Sequence, residues 1–260
     1  MRKLRGRKLK RQKQLVILSL IVLMVFFTTG YAAFSTKIKL NAKGNIKSYK
    51  LTLDPNGGIL DVTSKRVTKG KTYGELPTPT REGYIFKGWN GKNLFNSQDF
   101  YTNGKDYSVH IDGDDILLNT YPYQENVTKL PINFKDNTQY TLSYNWIVEE
   151  ITAGERIQSG LAFWYSDETC GNAISRFSGQ LNDSGSKTIT SDINKKATYV
   201  SSAGWSWSGR VRLSNIQLEE GTEATDYEPY FITSDTIVTQ EGAHTLTAIW
   251  EEEPVEQTEP

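Results

Sequence analysis

Apolar and polar residues alternate along most of this chain, and the alternation has the period of strands. Tyr49, Leu51 and Leu53 interleave with Lys50 and Thr52, the pattern of a half-buried strand. Asp54-Pro55-Asn56-Gly57-Gly58 then predicts a turn. Val67 sits among charged and Thr neighbours, as an edge strand would, and Pro77 and Pro79 break the chain before Gly83–Trp89 resumes an apolar strand. A matching ending appears only at Thr236–Trp250. There Leu246, Ala248 and Trp250 share one face, with Thr245, Thr247 and Ile249 on the other. Trp89 and Trp250 are expected to be core aromatics. Gly57, Gly58, Gly70 and Gly83 are expected to serve turns that need a positive φ.

The intervening Asn90–Tyr230 is aromatic-rich and also β-patterned. Strands are predicted at Tyr107–Ile111, Asp115–Asn119, Gln139–Val148, Ile157–Tyr165, Lys187–Ile193, Thr198–Ser202 and Arg210–Leu218. Turn clusters separate them: Asn103-Gly104, Asp112-Gly113-Asp114 and Asn182-Asp183-Ser184-Gly185. The clearest alternation sets Tyr140, Leu142, Tyr144, Trp146 and Val148 against Thr141, Ser143, Asn145 and Ile147, which makes Trp146 a core residue. No segment here places apolar residues at helical spacing over ten or more positions. Many short strands with regular turn signals predict a β-sandwich, or jelly roll.

The N-terminus breaks this pattern. Leu15–Phe27 is thirteen residues with Ser19 as the one polar member, and the run reaches twenty residues if extended to Phe34. The shorter length fits a signal-peptide core and the longer one a bilayer-spanning helix. Eight of the 30 Lys and Arg lie in residues 1–14, leaving 22 against 30 acidic residues, a net charge of −8 for the remainder. A basic head, an apolar run and an acidic body predict export, with everything after Tyr31 outside the cytoplasm, and exclude a nucleic-acid partner. Cleavage near Ala32 or Ala33 and retention as a signal anchor are both open. Cys170 is the sole cysteine, so no intrachain disulfide forms, and it is read as a loop thiol. The last ten residues, with five Glu and two Pro, predict an acidic, disordered tail.

Catalytic chemistry needs a constellation, and none is legible. Adjacent acids such as Glu149-Glu150 point to opposite faces of a strand, and other carboxylates read as solvated strand ends. His110 and His244 stand apart, without metal-ligand spacing, and no Gly-x-Ser-x-Gly elbow occurs. Asp112-Gly113-Asp114-Asp115 lacks the spacing of an EF-hand loop. No enzyme activity, cofactor or metal is expected. Binding is a better prospect. Trp164 falls on the face opposite Leu161, Phe163 and Tyr165, and Trp205 and Trp207 share a face between Gly and Ser residues. Aromatic rings exposed on a sheet stack on the apolar faces of sugars, so Trp164, Trp205 and Trp207 are the candidate ligand-binding residues.

Three motifs in order carry a family resemblance: Leu53-Asp54-Pro55-Asn56-Gly57-Gly58, then Tyr73-Gly74-Glu75-Leu76-Pro77-Thr78-Pro79-Thr80-Arg81, then Gly83–Trp89. Together they resemble the Listeria–Bacteroides repeat, the B repeat of internalin-type surface proteins. The usual ending of that repeat is similar to Ile232–Trp250 here. The resemblance implies a β-grasp-like module of bacterial surfaces, here present once and interrupted, and implies no catalysis. Lys92-Asn93-Leu94-Phe95-Asn96 and Ser214–Gly221 with Tyr227-Glu228-Pro229-Tyr230 resemble the ends of a carbohydrate-binding-module-like jelly roll.

The expected fold is thus mainly β, with an N-terminal transmembrane or signal helix, a split β-grasp-like repeat and an inserted β-sandwich. The partition is residues 1–34 signal peptide or anchor, 35–48 linker, 49–90 first part of the repeat, 91–230 inserted sandwich, 231–250 last repeat strands and 251–260 tail. The expected function is a non-enzymatic, exported bacterial surface protein. Its partner would be a glycan or surface-protein ligand, and its tether the membrane, through the N-terminal segment. Two alternatives stand beside this: a purely structural spacer, and an accessory to a secreted hydrolase.

Overall fold

A computed structural model describes residues 17–22, 24, 47–102, 109–120, 129–170, 173–202 and 208–254. The chain divides into two units, Met1–Ile46 and Lys47–Pro260. In the first, residues 17–22 are helical. Among the described residues no helix is long and apolar enough to cross a membrane, and most of Leu15–Phe34 lies outside them. The expected tail falls there too, apart from residues 251–254.

Among its described residues the second unit holds three sheets. The first contains β1 (Ser48–Asp54), β2 (Ser64–Thr68), β3 (Tyr84–Asn90) and β13 (His244–Glu252), in the order β2-β1-β13-β3. β1 and β13 run parallel at its centre, Leu53 beside Leu246, while β2 and β3 pair antiparallel at the edges. The first and last strands of the unit are therefore neighbours. Leu51, Leu53, Val67, Tyr73, Trp89, Ile232, Val238, Leu246 and Ala248 form one buried cluster. Phe86 packs edge-on against both Trp89 and Trp250, each 5.6 Å away between ring centres.

The motifs have local reasons. The Asp54 carboxylate accepts the Asn56 N–H at 2.9 Å, and Asn56 (φ 49°) and Gly57 (φ 84°) complete the turn. That turn grips the last strand: Asn56 Nδ2 donates to the Ala248 carbonyl at 3.0 Å and Trp250 Nε1 to the Pro55 carbonyl at 2.9 Å. Gly58 has another role than the expected one. Its φ is not positive; instead a Cβ there would lie 2.5 Å from the Trp250 ring. Trp89 and Phe86 are three positions apart, so a regular strand would set them on opposite faces. A bulge between β3 and β13 at Ile249/Trp250 puts both on the core side.

The inserted segment forms a two-sheet sandwich. One sheet has the order β10-β7-β12-β5-β4, and the other β6-β11-β8-β9. The first comprises β4 (Val109–Asp112), β5 (Asp115–Thr120), β7 (Tyr140–Ile151), β10 (Ser184–Thr190) and β12 (Gly209–Glu220). The second comprises β6 (Lys129–Pro131), β8 (Ile157–Tyr165), β9 (Ile174–Gly179) and β11 (Ala197–Ser202). A single apolar cluster fills the space between them, from Phe95 and Phe100 to Leu142, Phe163, Val200 and Leu213. Trp146 packs on this core but stays half-buried, stacked 4.3 Å from Phe177 with its plane tilted by 6°.

Two strands and one helix escaped the sequence pattern. β6 is three residues ending in Pro131, which suits an edge. β9 turns Ser175, Phe177 and Gly179 inward, so only one large apolar residue marks its buried face. The helix Ser97–Thr102 spans six residues, too short to show a helical period.

Entry and exit of the insertion lie one hydrogen bond apart, the Ile232 N–H donating to the Trp89 carbonyl at 2.7 Å. That proximity lets a domain sit inside a repeat without opening its sheet. Two buried Asn close the seam. Asn90 Nδ2 donates to the Asn93 and Tyr230 carbonyls, at 2.9 and 2.7 Å. Asn93 Nδ2 donates to the Ile216 and Glu228 carbonyls, and its Oδ1 accepts from the Phe95 and Leu218 N–H groups, all four at 3.0 Å.

Glu228 is fully buried at the same seam. Its carboxylate accepts from Tyr73 Oη at 3.0 Å and Gln240 Nε2 at 2.9 Å, both outside the insertion. Burial first, then the Glu228 charge, pushes the Tyr73 phenol well above its usual range. Tyr73→Phe leaves the carboxylate one donor short. It is expected to cost about 1–3 kcal/mol in urea unfolding, and much less in a Glu228→Gln background.

Candidate ligand-binding face

The outer face of the β6-β11-β8-β9 sheet presents the aromatic pair that best fits ligand contact. In β8, Leu161, Phe163 and Tyr165 enter the core, and Trp164 remains half-buried on the other side. Its cross-strand neighbour is Tyr199 of β11. The rings lie nearly parallel, tilted by 16°, with centres 5.7 Å apart.

A bulge makes this pair. Ala197 stands opposite Tyr165, and the register then shifts so that Tyr199 stands opposite Trp164. Without the extra residue, Tyr199 would stand opposite Phe163 and point into the core. Thr198, the residue absorbed by the bulge, donates its hydroxyl to the Trp164 carbonyl at 3.2 Å.

The indole is fixed by more than stacking. Trp164 Nε1 donates to the buried Ser201 Oγ at 2.7 Å. This draws the ring across β11, over the register pair Ala162 and Ser201, whose small side chains leave room for it. Lys129 of β6, exposed, holds its ammonium 4.4 Å from the centre of the Tyr199 ring. Lys129, Tyr199 and Trp164 therefore form a row across three strands, a cation followed by two stacked rings.

At the end of β8 the Asp167 carboxyl is held at about 2 by the Lys195 ammonium, 2.7 Å away, and by the Thr169 hydroxyl. Of the three tryptophans singled out in the sequence, Trp164 is on this face, while Trp205 and Trp207 lie outside the described residues. Tyr199, Ser201 and Lys129 were not legible beforehand, because pairing across strands and the bulge are tertiary facts.

Other groups with candidate chemistry are occupied. The acidic turn at Asp112–Asp115 faces Arg212, whose Nη1 lies 2.8 Å from Asp112 Oδ2 and 3.1 Å from Asp115 Oδ2. Arg212 Nε also donates to Glu149 at 2.5 Å, and Arg210 Nε to the same carboxylate at 3.0 Å. Burial works against the Glu149 charge, but these two guanidinium groups outweigh it and hold its pKa below the usual carboxylate range. Among the described residues no three His, Cys, Asp or Glu side chains come together as metal ligands. His244 Nε2 lies 3.1 Å from Tyr73 Oη, and Cys170 is half-buried.

Comparison with known proteins bears on the first sheet. Residues 49–118 match the profile of the Listeria-Bacteroides repeat domain. The match to that repeat is confined to this span. The matched span runs past Asn90 into β4 and β5, which belong to the sandwich, whereas the strand that completes the repeat sheet is β13. No protein of curated function matches the sequence.

Among solved structures, the tripod of the bacteriophage Tuc2009 baseplate covers 69% of this chain and 77% of its own, at 14% identity and a TM-score of 0.36. A family 29 carbohydrate-binding module from Piromyces equi covers 58% of this chain and 86% of its own, at 11% identity and a TM-score of 0.30. Another family 29 module covers 67% and 90%, at 10% identity and a TM-score of 0.29. Likeness at this level carries no argument about the ligand of this chain.

Proposed function

We propose that this is an exported, non-enzymatic surface protein whose repeat displays the inserted sandwich, and that the sandwich takes a glycan on its Trp164–Tyr199 face. Export rests on the sequence: the basic head, the apolar run Leu15–Phe27 and the acidic remainder. Whether Leu15–Phe34 stays as the membrane tether or is removed, the body functions outside the cell. The repeat supports a surface setting, because the family resemblance implies one.

The observation that carries the binding reading is the pair of parallel, half-exposed rings on an outer sheet face, brought there by a bulge. Bulges that re-aim a side chain out of a core are found next to binding sites. Aromatic faces beside hydrogen-bonding groups suit the apolar and hydroxyl surfaces of a sugar ring. A spacer reading draws on a different observation. The Trp164 N–H is already satisfied by Ser201 and one ring face is already taken by Tyr199, so packing alone accounts for part of the arrangement.

A glycan-array screen of the purified full-length chain separates the two. Glycan binding is expected, and Trp164→Ala is expected to weaken it about tenfold or more, since truncating a central Trp contact costs on the order of 2 kcal/mol. Far-UV circular dichroism should be retained, because Trp164 is not a core residue. Absence of binding across the array, or binding indifferent to Trp164→Ala, favours the spacer.

A further inference from the structure

We infer that the ligand of the Trp164–Tyr199 face is an acidic polysaccharide, its carboxylate or phosphate groups drawn to Lys129. The inference rests on the glycan reading and adds the class of sugar to it. Three observations carry it.

The first is charge segregation between the two sheets of the sandwich. The strands β6, β8, β9 and β11 contain no Asp or Glu, and their charged residues are Lys129 and Arg176. The facing sheet carries six acids, Asp112, Asp115, Glu149, Glu150, Glu219 and Glu220, against three cations, Lys187, Arg210 and Arg212. Residues 15–260 have a net charge of −8, so a polyanion is repelled by the body as a whole. A sheet without carboxylates is then the surface such a ligand approaches at least cost.

The second is what Lys129 touches. Lys92, Lys135, Lys195, Lys196, Arg210 and Arg212 each stand against a carboxylate. Lys129 instead rests on the Tyr199 ring, with no carboxylate beside it among the described residues. Cation–ring attraction holds the ammonium in place and leaves its charge unneutralised.

The third is where the cation sits. Lys129 pairs with Ser201 and Pro131 with Tyr199, so the ammonium stands on the outer face, one strand from the indole. An acidic chain laid across β8, β11 and β6 would set a sugar ring on the aromatic pair and a charged substituent at the neighbouring cation. Arg176 of β9 lies on the other side of Trp164's strand, exposed and on the same face as Ala162. Arg176 stands opposite Gly160, four positions along β8 from Trp164, and is the second basic residue of this sheet.

The test uses the full-length chain and two acidic probes, oligogalacturonate and oligoglucuronate, each compared with its fully methyl-esterified form, which keeps the backbone and removes the charge. The acids are expected to bind roughly threefold to fivefold more tightly than the esters, the scale of one exposed ion pair. The preference should vanish at about 1 M salt, where the screening length falls to about 3 Å. Lys129→Met, which keeps an apolar stem on Tyr199, is expected to bring acid and ester close to parity, and Lys129→Arg to preserve the preference. Equal binding of acid and ester that still depends on Trp164 overturns this inference and leaves the glycan reading standing. A preference for acid untouched by Lys129→Met overturns the role given to Lys129. Failure of every probe, together with an empty glycan array, removes the glycan reading and this inference with it.

Discussion

Asn93→Ala is expected to lower the stability of the Lys47–Pro260 unit by about 3–5 kcal/mol in urea unfolding, because it strips four buried hydrogen bonds at once. The side chain is 1% exposed. Its amide nitrogen serves the carbonyls of Ile216 and Glu228, and its oxygen serves the N–H groups of Phe95 and Leu218. One residue at the start of the insertion thus binds two points near its end. Alanine leaves two carbonyls and two N–H groups without these partners in a place where water does not replace them readily.

Asn93→Asp gives a sharper readout. It keeps the shape and both acceptor bonds, but sets a carboxylate against two carbonyl oxygens. Burial and that repulsion raise the folded-state pKa of the new acid. A raised carboxyl pKa means the folded state holds its proton longer than the unfolded one. Stability is therefore best retained below the unfolded value of about 3.9 and falls as pH rises above it. The deficit of Asn93→Asp relative to the parent should grow from pH 4 to pH 7, while that of Asn93→Ala stays level. If both deficits are small and flat, Asn93 does not hold the seam.

The contrast between Asn93 and Trp164 marks what a single sequence reveals. Motif order announced the split repeat, because turn residues such as Asn56 and Gly57 and the strand Thr245–Trp250 carry their reasons locally. β8 was legible to the residue, since Ile157–Tyr165 is bounded by polar chain and four of its inward positions, Ile157, Leu161, Phe163 and Tyr165, are large and apolar. The face of Trp164 followed from the same alternation. Its partner did not, because the bulge at Thr198 reverses the parity of Tyr199 and the bulge has no local signature. Asn93, Gln217, Glu219 and Glu228 are all buried, yet by composition they read as surface. What buries them is mutual satisfaction: Gln217 accepts the Glu228 N–H at 2.8 Å and donates to Glu219 at 2.7 Å. Such a network is specified by partners far along the chain, which a local pattern does not record.

Gly160→Ala is the other substitution with a large expected effect, about 3 kcal/mol or more, by a mechanism opposite to that of Asn93→Ala. Gly160 lies in β8, an interior strand of its sheet, beside Arg176 of β9. A Cβ at Gly160 would overlap the carbonyl oxygen of Ser175 and come 3.2 Å from Tyr144 Oη. That carbonyl has a second duty, accepting the Tyr144 hydroxyl at 2.8 Å across the core from β7. Tyr144 is 2% exposed, and burial pushes its phenol up to about 12. The missing side chain at Gly160 is thus what allows a residue of one sheet to bond the backbone of the other. Alanine must move the β9 backbone, which is rigid, where a flexible side chain would give way. Gly83→Ala is the comparison that isolates this cause. Gly83 has φ 74°, and an added methyl would meet nothing within 4 Å, so its cost is conformational, about 1 kcal/mol. Tyr144→Phe in the Gly160→Ala background should recover little, because the backbone overlap remains. A Gly160→Ala cost no greater than that of Gly83→Ala would mean that β8 and β9 separate freely at this point, and the close approach would then have no part in fixing the strand that carries Trp164.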